Sequence, residues 1–186
     1  YMSNSAIYPS TLQPDSTELH YIDSKAINIP VVHLSFQQWT GDPIPNTFGG
    51  KGLINFMGTP MFAELAIQRT AVLGGWNARW VETYAMKGKV PYYFTQWGDC
   101  SLSQQVQDPI SDNVQVELLE TISKNNNGSY SGCWDVIAWQ GDRTVFIESK
   151  RSKKDSFRST QDQWLQAGLR AGLAVDNFLI VEWDYS

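Results

Sequence analysis

Asp135, Glu148 and Lys150 are the residues of this sequence best suited to chemistry. They flank positions 141–142, a Gly-Asp pair that is typical of a tight hairpin turn. Because side chains alternate across a strand, Glu148 and Lys150 share one face, and Asp135 on the neighbouring strand can lie close to Glu148. Carboxylate oxygens suit a hard divalent cation, and a lysine can position a water beside it. The alternative is a cross-strand salt bridge at the surface, and these three residues alone leave both interpretations open.

The elements around these residues favour a constrained site. Val145–Ile147, which leads to the second carboxylate, is apolar on both faces, as in a buried central strand. A helix is predicted to begin at Ser159, with Trp164 and Leu165 on its apolar face. Gln161 lies one turn before them and is expected to point towards the carboxylates, whereas Gln163 is rotated by about 200° and should face solvent. The alternative is that Gln161 is an ordinary solvated residue of the first helical turn.

Three short motifs occur in a defined order along the chain. They are Gly132-Cys133-Trp134-Asp135, Glu148-Ser149-Lys150 and Gln161-Asp162-Gln163-Trp164-Leu165. Their order, with a basic linker containing Asp155 between the second and the third, resembles the PD-(D/E)XK nuclease superfamily and most closely its VRR-NUC group. The sequence departs from that pattern at two points. Trp134 replaces the usual proline before the aspartate, and the linker is one residue longer than expected.

The resemblance implies an endonuclease that depends on Mg²⁺, for which Mn²⁺ can substitute, and that hydrolyses phosphodiester bonds in DNA. The implied metal ligands are Asp135, Glu148, the backbone carbonyl of Ser149, and Glu64 directly or through water. The implied catalytic residues are Asp135, Glu148, Lys150, Gln161 and Glu64. Lys150 would orient the attacking water and offset charge on the phosphate, and Gln161 would hold that water or a ligand. A homodimer is a further expectation, by analogy with nucleases that cut two strands.

The three motifs do not include the acidic residue that comes first along the chain, so its identity has to be chosen between two candidates. The family's core opens with a helix that carries an acidic residue, and Glu64 occupies the helix that ends at Gly74-Gly75. Glu82, on the strand that follows, is a rival carboxylate. Glu64 is the preferred assignment.

The linker that follows the second motif concentrates positive charge on an acidic protein. The whole chain has 14 Lys and Arg against 19 Asp and Glu, a net charge of -5, which excludes a uniformly basic coat for nucleic acid. Between positions 150 and 158, five basic residues stand against Asp155 alone. The residues expected to bind the nucleic-acid backbone are Arg151, Lys153, Lys154 and Arg158. A solvated linker is the alternative, which the neighbouring Glu-x-Lys motif makes less attractive.

The element order predicts an α/β fold with a mixed central β-sheet flanked by helices. Residues 60–186 are expected to form a restriction-endonuclease-like core in α-β-β-β-α-β order, interrupted by a long connection over 85–131. Residues 1–59 are interpreted as an N-terminal arm in which Ile29–Leu34 forms an edge strand, because Pro30 lacks a donor. The first core helix is expected to begin with Thr59 as its cap and Pro60 in its first turn. Further predicted elements are a strand over Trp76–Tyr84, a helix over Val114–Ile122, and strands over Cys133–Trp139, Thr144–Lys150 and Asn177–Trp183.

Composition excludes several classes of protein. Two Cys and two His cannot form a disulfide framework or a Cys/His zinc cluster. No apolar run approaches the ~18 residues of a membrane span. The expected protein is soluble and intracellular, with no membrane partner.

Two rival functions remain after these exclusions. A non-catalytic module that binds nucleic acid or a protein could retain the nuclease fold, although an intact Asp, Glu and Lys set argues against it. The eight Trp residues would suit a sugar-binding or base-stacking surface, but most have core-facing spacing, and only Trp39 and Trp97 are stacking candidates. The segment Gly49-Gly50-Lys51-Gly52 lacks the spacing of a phosphate-binding P-loop and receives no function.

Overall fold

A mixed β-sheet with helices on both faces is the framework of the computed structural model, which describes residues 6–45, 48–84 and 90–186. The strands are β1 (Ser16–Ile22), β2 (Lys25–Gln38), β3 (Ile54–Phe56), β4 (Thr59–Met61), β5 (Asn77–Glu82), β6 (Tyr92–Phe94), β7 (Val136–Gln140), β8 (Arg143–Arg151) and β9 (Phe178–Tyr185). The helices are α1 (Ala63–Leu73), α2 (Asn113–Asn125) and α3 (Ser159–Arg170). The predicted α/β class, with a mixed sheet flanked by helices, is confirmed.

The strand order is β4-β3-β2-β9-β8-β7-β5-β6, and β1 also pairs with β2. β9 runs parallel to both of its neighbours, β2 and β8, whereas the other pairs are antiparallel. β8 is therefore an interior strand, and the apolar run that leads to Glu148 is buried as expected for such a strand.

The two faces of the sheet are covered by different helices. α1 packs with Val145 and Ile147 on one face, while α2 and α3 pack with Phe146 on the other. Trp164 and Leu165 of α3 are fully buried in that second layer. The period-2 alternation along β8 thus separates two hydrophobic cores, and it directs Glu148 to the face that α3 covers.

Packing accounts for most of the tryptophans. The buried ones are Trp76, Trp80, Trp134, Trp139, Trp164 and Trp183. Trp39 and Trp97 are partly exposed, and the Trp97 ring packs against aromatic rings of the core, including Phe62 and Trp80. The prediction that tryptophans serve first as core residues is confirmed for these six.

The segment before residue 60 is part of the sheet, which corrects the interpretation of Ile29–Leu34 as an edge strand. β2 pairs with β1 on one side and with β9 on the other. The ladder between β2 and β9 begins at Val31, which pairs with Ile180, so Pro30 lies just before it. Pro30 is tolerated because no hydrogen bond of that ladder needs its missing N–H. Residues 1–5 and 46–47 of the predicted arm lie outside the described residues, as do residues 85–89 of the predicted connection.

The first core helix starts later than the sequence-based expectation. Thr59 and Pro60 belong to β4, which forms a hairpin with β3, and α1 begins only at Ala63. The turn of that hairpin is Met57-Gly58, with φ of 50° and 87°, and its glycine supplies the positive φ that such a turn requires. Within the predicted connection, Tyr92–Phe94 forms an unforeseen strand, and the predicted helix is present as α2.

The chain reaches β7 through a turn at Gly132, so the strand starts at Val136 instead of Cys133. Gly132 has φ of 80°, and a Cβ at this position would lie 1.9 Å from the backbone oxygen of Thr160. This close approach brings the start of α3 beside Asp135, the residue just before β7. Only glycine adopts a positive φ readily and has no Cβ to collide with the Thr160 oxygen.

We expect Gly132→Ala to destabilise the protein far more than Gly128→Ala, which serves as its matched control. Gly128 also has positive φ, 71°, but a Cβ there meets no atom within 4 Å. Gly128→Ala should cost only the left-handed backbone penalty of about 1–2 kcal/mol. Gly132→Ala should cost about 1–3 kcal/mol more because the backbone of α3 must move. Urea unfolding of both variants measures the difference, and equal losses would contradict a tight contact at Gly132.

Candidate active site

One end of the sheet carries a cleft of about 1030 Å³. β7 runs antiparallel to β5 and β8, and its pairing with β8 ends at Val136 and Ile147, so Glu148 follows directly opposite the residue that precedes β7. Glu82, Asp135 and Glu148 are therefore brought to the same end of the sheet, and all three line the cleft. Glu64, in the first turn of α1, lines it as well.

Asp135 and Glu148 are joined by two hydrogen bonds across the end of the hairpin. The Ser149 backbone N–H donates to Asp135 Oδ2 at 2.9 Å, and the Asp135 backbone N–H donates to Glu148 Oε2 at 3.3 Å. The Ser149 hydroxyl accepts from Trp183 Nε1 at 3.0 Å, on the other face of β8. The expectation that the two carboxylates lie close together is confirmed.

Gln161 contacts the site from α3. Its side-chain N–H donates to Glu148 Oε1, and its backbone carbonyl accepts from Trp134 Nε1 at 3.1 Å. Its side-chain oxygen accepts from the Arg158 backbone N–H at 2.7 Å and so caps the helix. Gln163 is exposed. The predicted helix register is confirmed.

Glu64 is paired with a lysine that sequence analysis did not select. Lys51 Nζ donates to Glu64 Oε1. Glu82, the rival carboxylate, lies beside this pair and accepts from the Tyr84 backbone N–H at 2.8 Å. Both Glu64, the preferred metal ligand, and Glu82, its rival, line the cleft. Nothing in the spacing around Lys51 signals this contact, because its partner follows 13 residues later in a different element.

Burial dominates the electrostatics of these carboxylates. Loss of water, and then the negative charge of Glu64, raise the pKa of Asp135 to about 7, although the Ser149 N–H and Lys51 oppose the shift. Burial and then the charge of Asp135 raise the pKa of Glu148 well above its ordinary value. Burial also raises the pKa of Glu82. Carboxylates in such a cluster stay ionised at neutral pH only when a positive charge compensates for lost hydration and mutual repulsion.

Lys150 lines the cleft, and its ammonium group is held by a residue of β1. Lys150 Nζ donates to both carboxylate oxygens of Glu18, at 3.0 and 3.1 Å. Glu18 lies 132 positions earlier in the sequence, in the segment that was interpreted as an arm. Sequence reasoning missed it because the contact exists only where β1 and β2 join the sheet.

The basic linker borders the same cleft. Arg151, Lys154 and Arg158 line it, whereas Lys153 is exposed and lies outside the lining. The guanidinium of Arg151 lies 4.6 Å from the centre of the Tyr185 ring. Asp155 Oδ2 accepts from the Arg151 backbone N–H at 2.8 Å, which fixes the turn of the linker.

The donor set fits a hard cation in its chemistry, since Asp135, Glu148 and Glu64 offer carboxylate oxygens at the edge of one cleft. Over residues 6–45, 48–84 and 90–186, no three His, Cys, Asp or Glu side chains are arranged as a ready-made metal site. The carboxylate oxygens of the three acidic residues accept hydrogen bonds instead, from the Ser149 N–H, Gln161 and Lys51. A cation that bound here would have to compete with these donors.

Comparisons with family models, with curated proteins and with solved structures find no match. Within the part of the chain that the structure describes, no helix has the length and apolarity needed to cross a membrane.

The pKa of Asp135 predicts how the stability of the metal-free protein depends on pH. An acid with a higher pKa in the folded state binds more protons when folded, so its stabilising contribution is present at low pH and is lost as pH rises from about 4 to about 7. Asp135→Asn keeps an oxygen acceptor for Ser149 and removes the charge. At pH 8, in chelator, its free energy of unfolding should exceed that of wild type by at least about 1.4 kcal/mol, and this gain should shrink towards pH 4.

The matched control is Asp142→Asn, an exposed position in the turn at the opposite end of the same hairpin. Its effect on the free energy of unfolding should be small because the side chain is exposed. Urea unfolding at pH 4 and pH 8 provides the measurement. An Asp135→Asn protein no more stable than wild type at pH 8 would show that the buried charge is already compensated.

Proposed function

We propose that this protein is a nuclease that uses Mg²⁺, or Mn²⁺ in its place, to hydrolyse phosphodiester bonds in DNA. The observation that carries the proposal is the reciprocal hydrogen bonding of Asp135 and Glu148 at the end of one hairpin, with Gln161 donating to the second carboxylate. These hydrogen bonds join residues from all three sequence motifs at one site. A restriction-endonuclease-like core is part of the same proposal.

The charge distribution of the cleft supports a phosphodiester substrate. Its floor is acidic, with Asp135, Glu148 and Glu64, and its border carries Arg151, Lys154 and Arg158. A divalent cation on the acidic floor would be neutralised by the carboxylates and could face a phosphate held by the basic border. A volume of about 1030 Å³ leaves room for more than one nucleotide.

The proposed work of the chain is to bind, orient and compensate charge. Asp135, Glu148 and Glu64 would hold the cation, with the Ser149 carbonyl as a further oxygen donor. When bound, the cation supplies a water of lowered pKa and stabilises negative charge on the phosphate. Gln161 keeps Glu148 in one orientation by its hydrogen bond. Lys150, whose ammonium Glu18 fixes at the edge of the cleft, would offset charge on the reacting phosphate.

Metal-dependent cleavage is the direct test. Labelled duplex, junction, flap and single-stranded DNA, with RNA counterparts, are incubated with Mg²⁺, with Mn²⁺ or with chelator. Cleavage of DNA should appear with either metal and vanish in chelator, and Asp135→Asn and Glu148→Gln should abolish it. Cleavage that persists in chelator would overturn the metal mechanism. Binding of DNA without cleavage under any metal condition would favour the non-catalytic module.

The two glutamines of α3 provide a matched pair of variants for the same assay. Gln161→Ala removes the donor to Glu148 and should slow cleavage at least about tenfold, equivalent to about 1.4 kcal/mol on the barrier. Gln163→Ala alters an exposed side chain two positions away and should leave the rate near that of wild type. Equal effects of the two substitutions would remove Gln161 from the proposed machinery.

Neighbouring lysines of the linker test the basic border. Lys154 lines the cleft and Lys153 does not, so only Lys154→Ala should remove a phosphate contact. Its DNA affinity should depend less steeply on salt, with the logarithmic slope reduced by about 0.9 for B-DNA. Binding titrations at several salt concentrations measure the slopes. If Lys153→Ala changes the slope as much as Lys154→Ala, the linker acts only through its total charge.

A further inference from the structure

The segment that carries Lys51 is held in a defined conformation. Gly49 and Gly50 have φ of 81° and 76°, which lets the chain turn back towards the sheet. The Leu53 carbonyl accepts from the Trp39 backbone N–H at 3.0 Å and from the Tyr185 hydroxyl at 3.3 Å. A Cβ on Gly52 would come within 2.7 Å of that same hydroxyl. The glycines that resemble no phosphate-binding loop therefore serve to seat this segment against β9.

This conformation directs the Lys51 side chain into the carboxylate cluster. Its ammonium group donates to Glu64 and lies 5.4 and 5.7 Å from the ring centres of Phe48 and Trp80. Burial lowers the pKa of Lys51 and the charge of Glu64 raises it, with a net shift upward that keeps the ammonium charged. Aromatic faces and a carboxylate both favour such a cation.

We propose that Lys51 is the built-in counter-cation of the carboxylate cluster, which holds Glu64 in the metal-free protein and competes with a divalent cation for it. Glu64, Glu82, Asp135 and Glu148 converge on one cleft, and Lys51 is the ammonium that bonds one of them directly. Lys150 is engaged by Glu18 instead. Repulsion among buried carboxylates weakens when a positive charge lies within a few ångströms.

Competition follows because a carboxylate oxygen that accepts from Lys51 must give up that bond to bind a metal. By thermodynamic linkage, the free energy by which Lys51 stabilises the metal-free protein is subtracted from the free energy of metal binding. The competition rests on the proposed function, whereas the role of Lys51 as counter-cation can be tested without any metal. Lys51 is thus a positioning residue that sets metal affinity.

Calorimetric titration of the full chain with Mn²⁺ tests the competition. Lys51→Met keeps an unbranched side chain against the Phe48 and Trp80 rings but removes the charge. It should bind Mn²⁺ at least about tenfold more tightly than wild type, equivalent to about 1.4 kcal/mol. Lys124→Met, at an exposed position on α2 outside the cleft, makes the same change in net charge and should bind as wild type does. Affinity that is unchanged or weaker in Lys51→Met overturns the competition.

Thermal unfolding in chelator tests the counter-cation role by a double-mutant cycle with Glu64→Gln. Lys51→Met should lower the melting temperature by about 2–4 °C in the wild-type background and by clearly less when Glu64 is already neutral. Equal losses in both backgrounds overturn the inference. If no protein binds Mn²⁺ while the cycle shows coupling, the proposed metal dependence fails and Lys51 stands as a structural counter-cation. A tighter Mn²⁺ complex together with coupling in the cycle supports both.

Discussion

Two hydrogen bonds across the end of one hairpin, from the Ser149 amide to Asp135 and from the Asp135 amide to Glu148, hold a half-buried and a buried carboxylate together beside the cleft. Burying a carboxylate is costly unless hydrogen bonds and an opposite charge compensate for its lost hydration. These backbone bonds supply only part of that compensation. Other elements of the fold must supply the remaining compensation for the lost hydration.

Two other segments contribute to this compensation. α3 brings Gln161 to Glu148, and the approach depends on Gly132, because any larger residue there would collide with the first turn of that helix. The glycine-rich segment before α1 contributes the positive charge of Lys51, which pairs with Glu64 of that helix. The site is therefore an assembly of elements that the sheet brings to one end, and its acidic floor is stabilised by contacts between residues far apart in sequence.

The N-terminal strands are integral to this assembly. β2 pairs in parallel with β9, so β1 is brought within reach of the end of β8, where Glu18 fixes Lys150. A lysine with four rotatable bonds loses side-chain entropy when it is fixed, and a bidentate carboxylate contact offsets that cost. The electrostatic environment of the cleft thus depends on two strands that precede α1 in the chain.

Local signals were enough to predict the hairpin, from its Gly-Asp turn, and the inward direction of Gln161, from the repeat of 3.6 residues in a helix. The repeat of 2.0 residues in a strand placed Glu148 and Lys150 on a shared face. The start of α1 was placed wrongly because Met57-Gly58 forms a hairpin turn that makes Pro60 part of a strand. The position of β2, the Lys51–Glu64 pair and the Lys150–Glu18 pair carry no local pattern. They depend on the order in which strands pair, and only the packed sheet brings those distant charges within hydrogen-bonding distance.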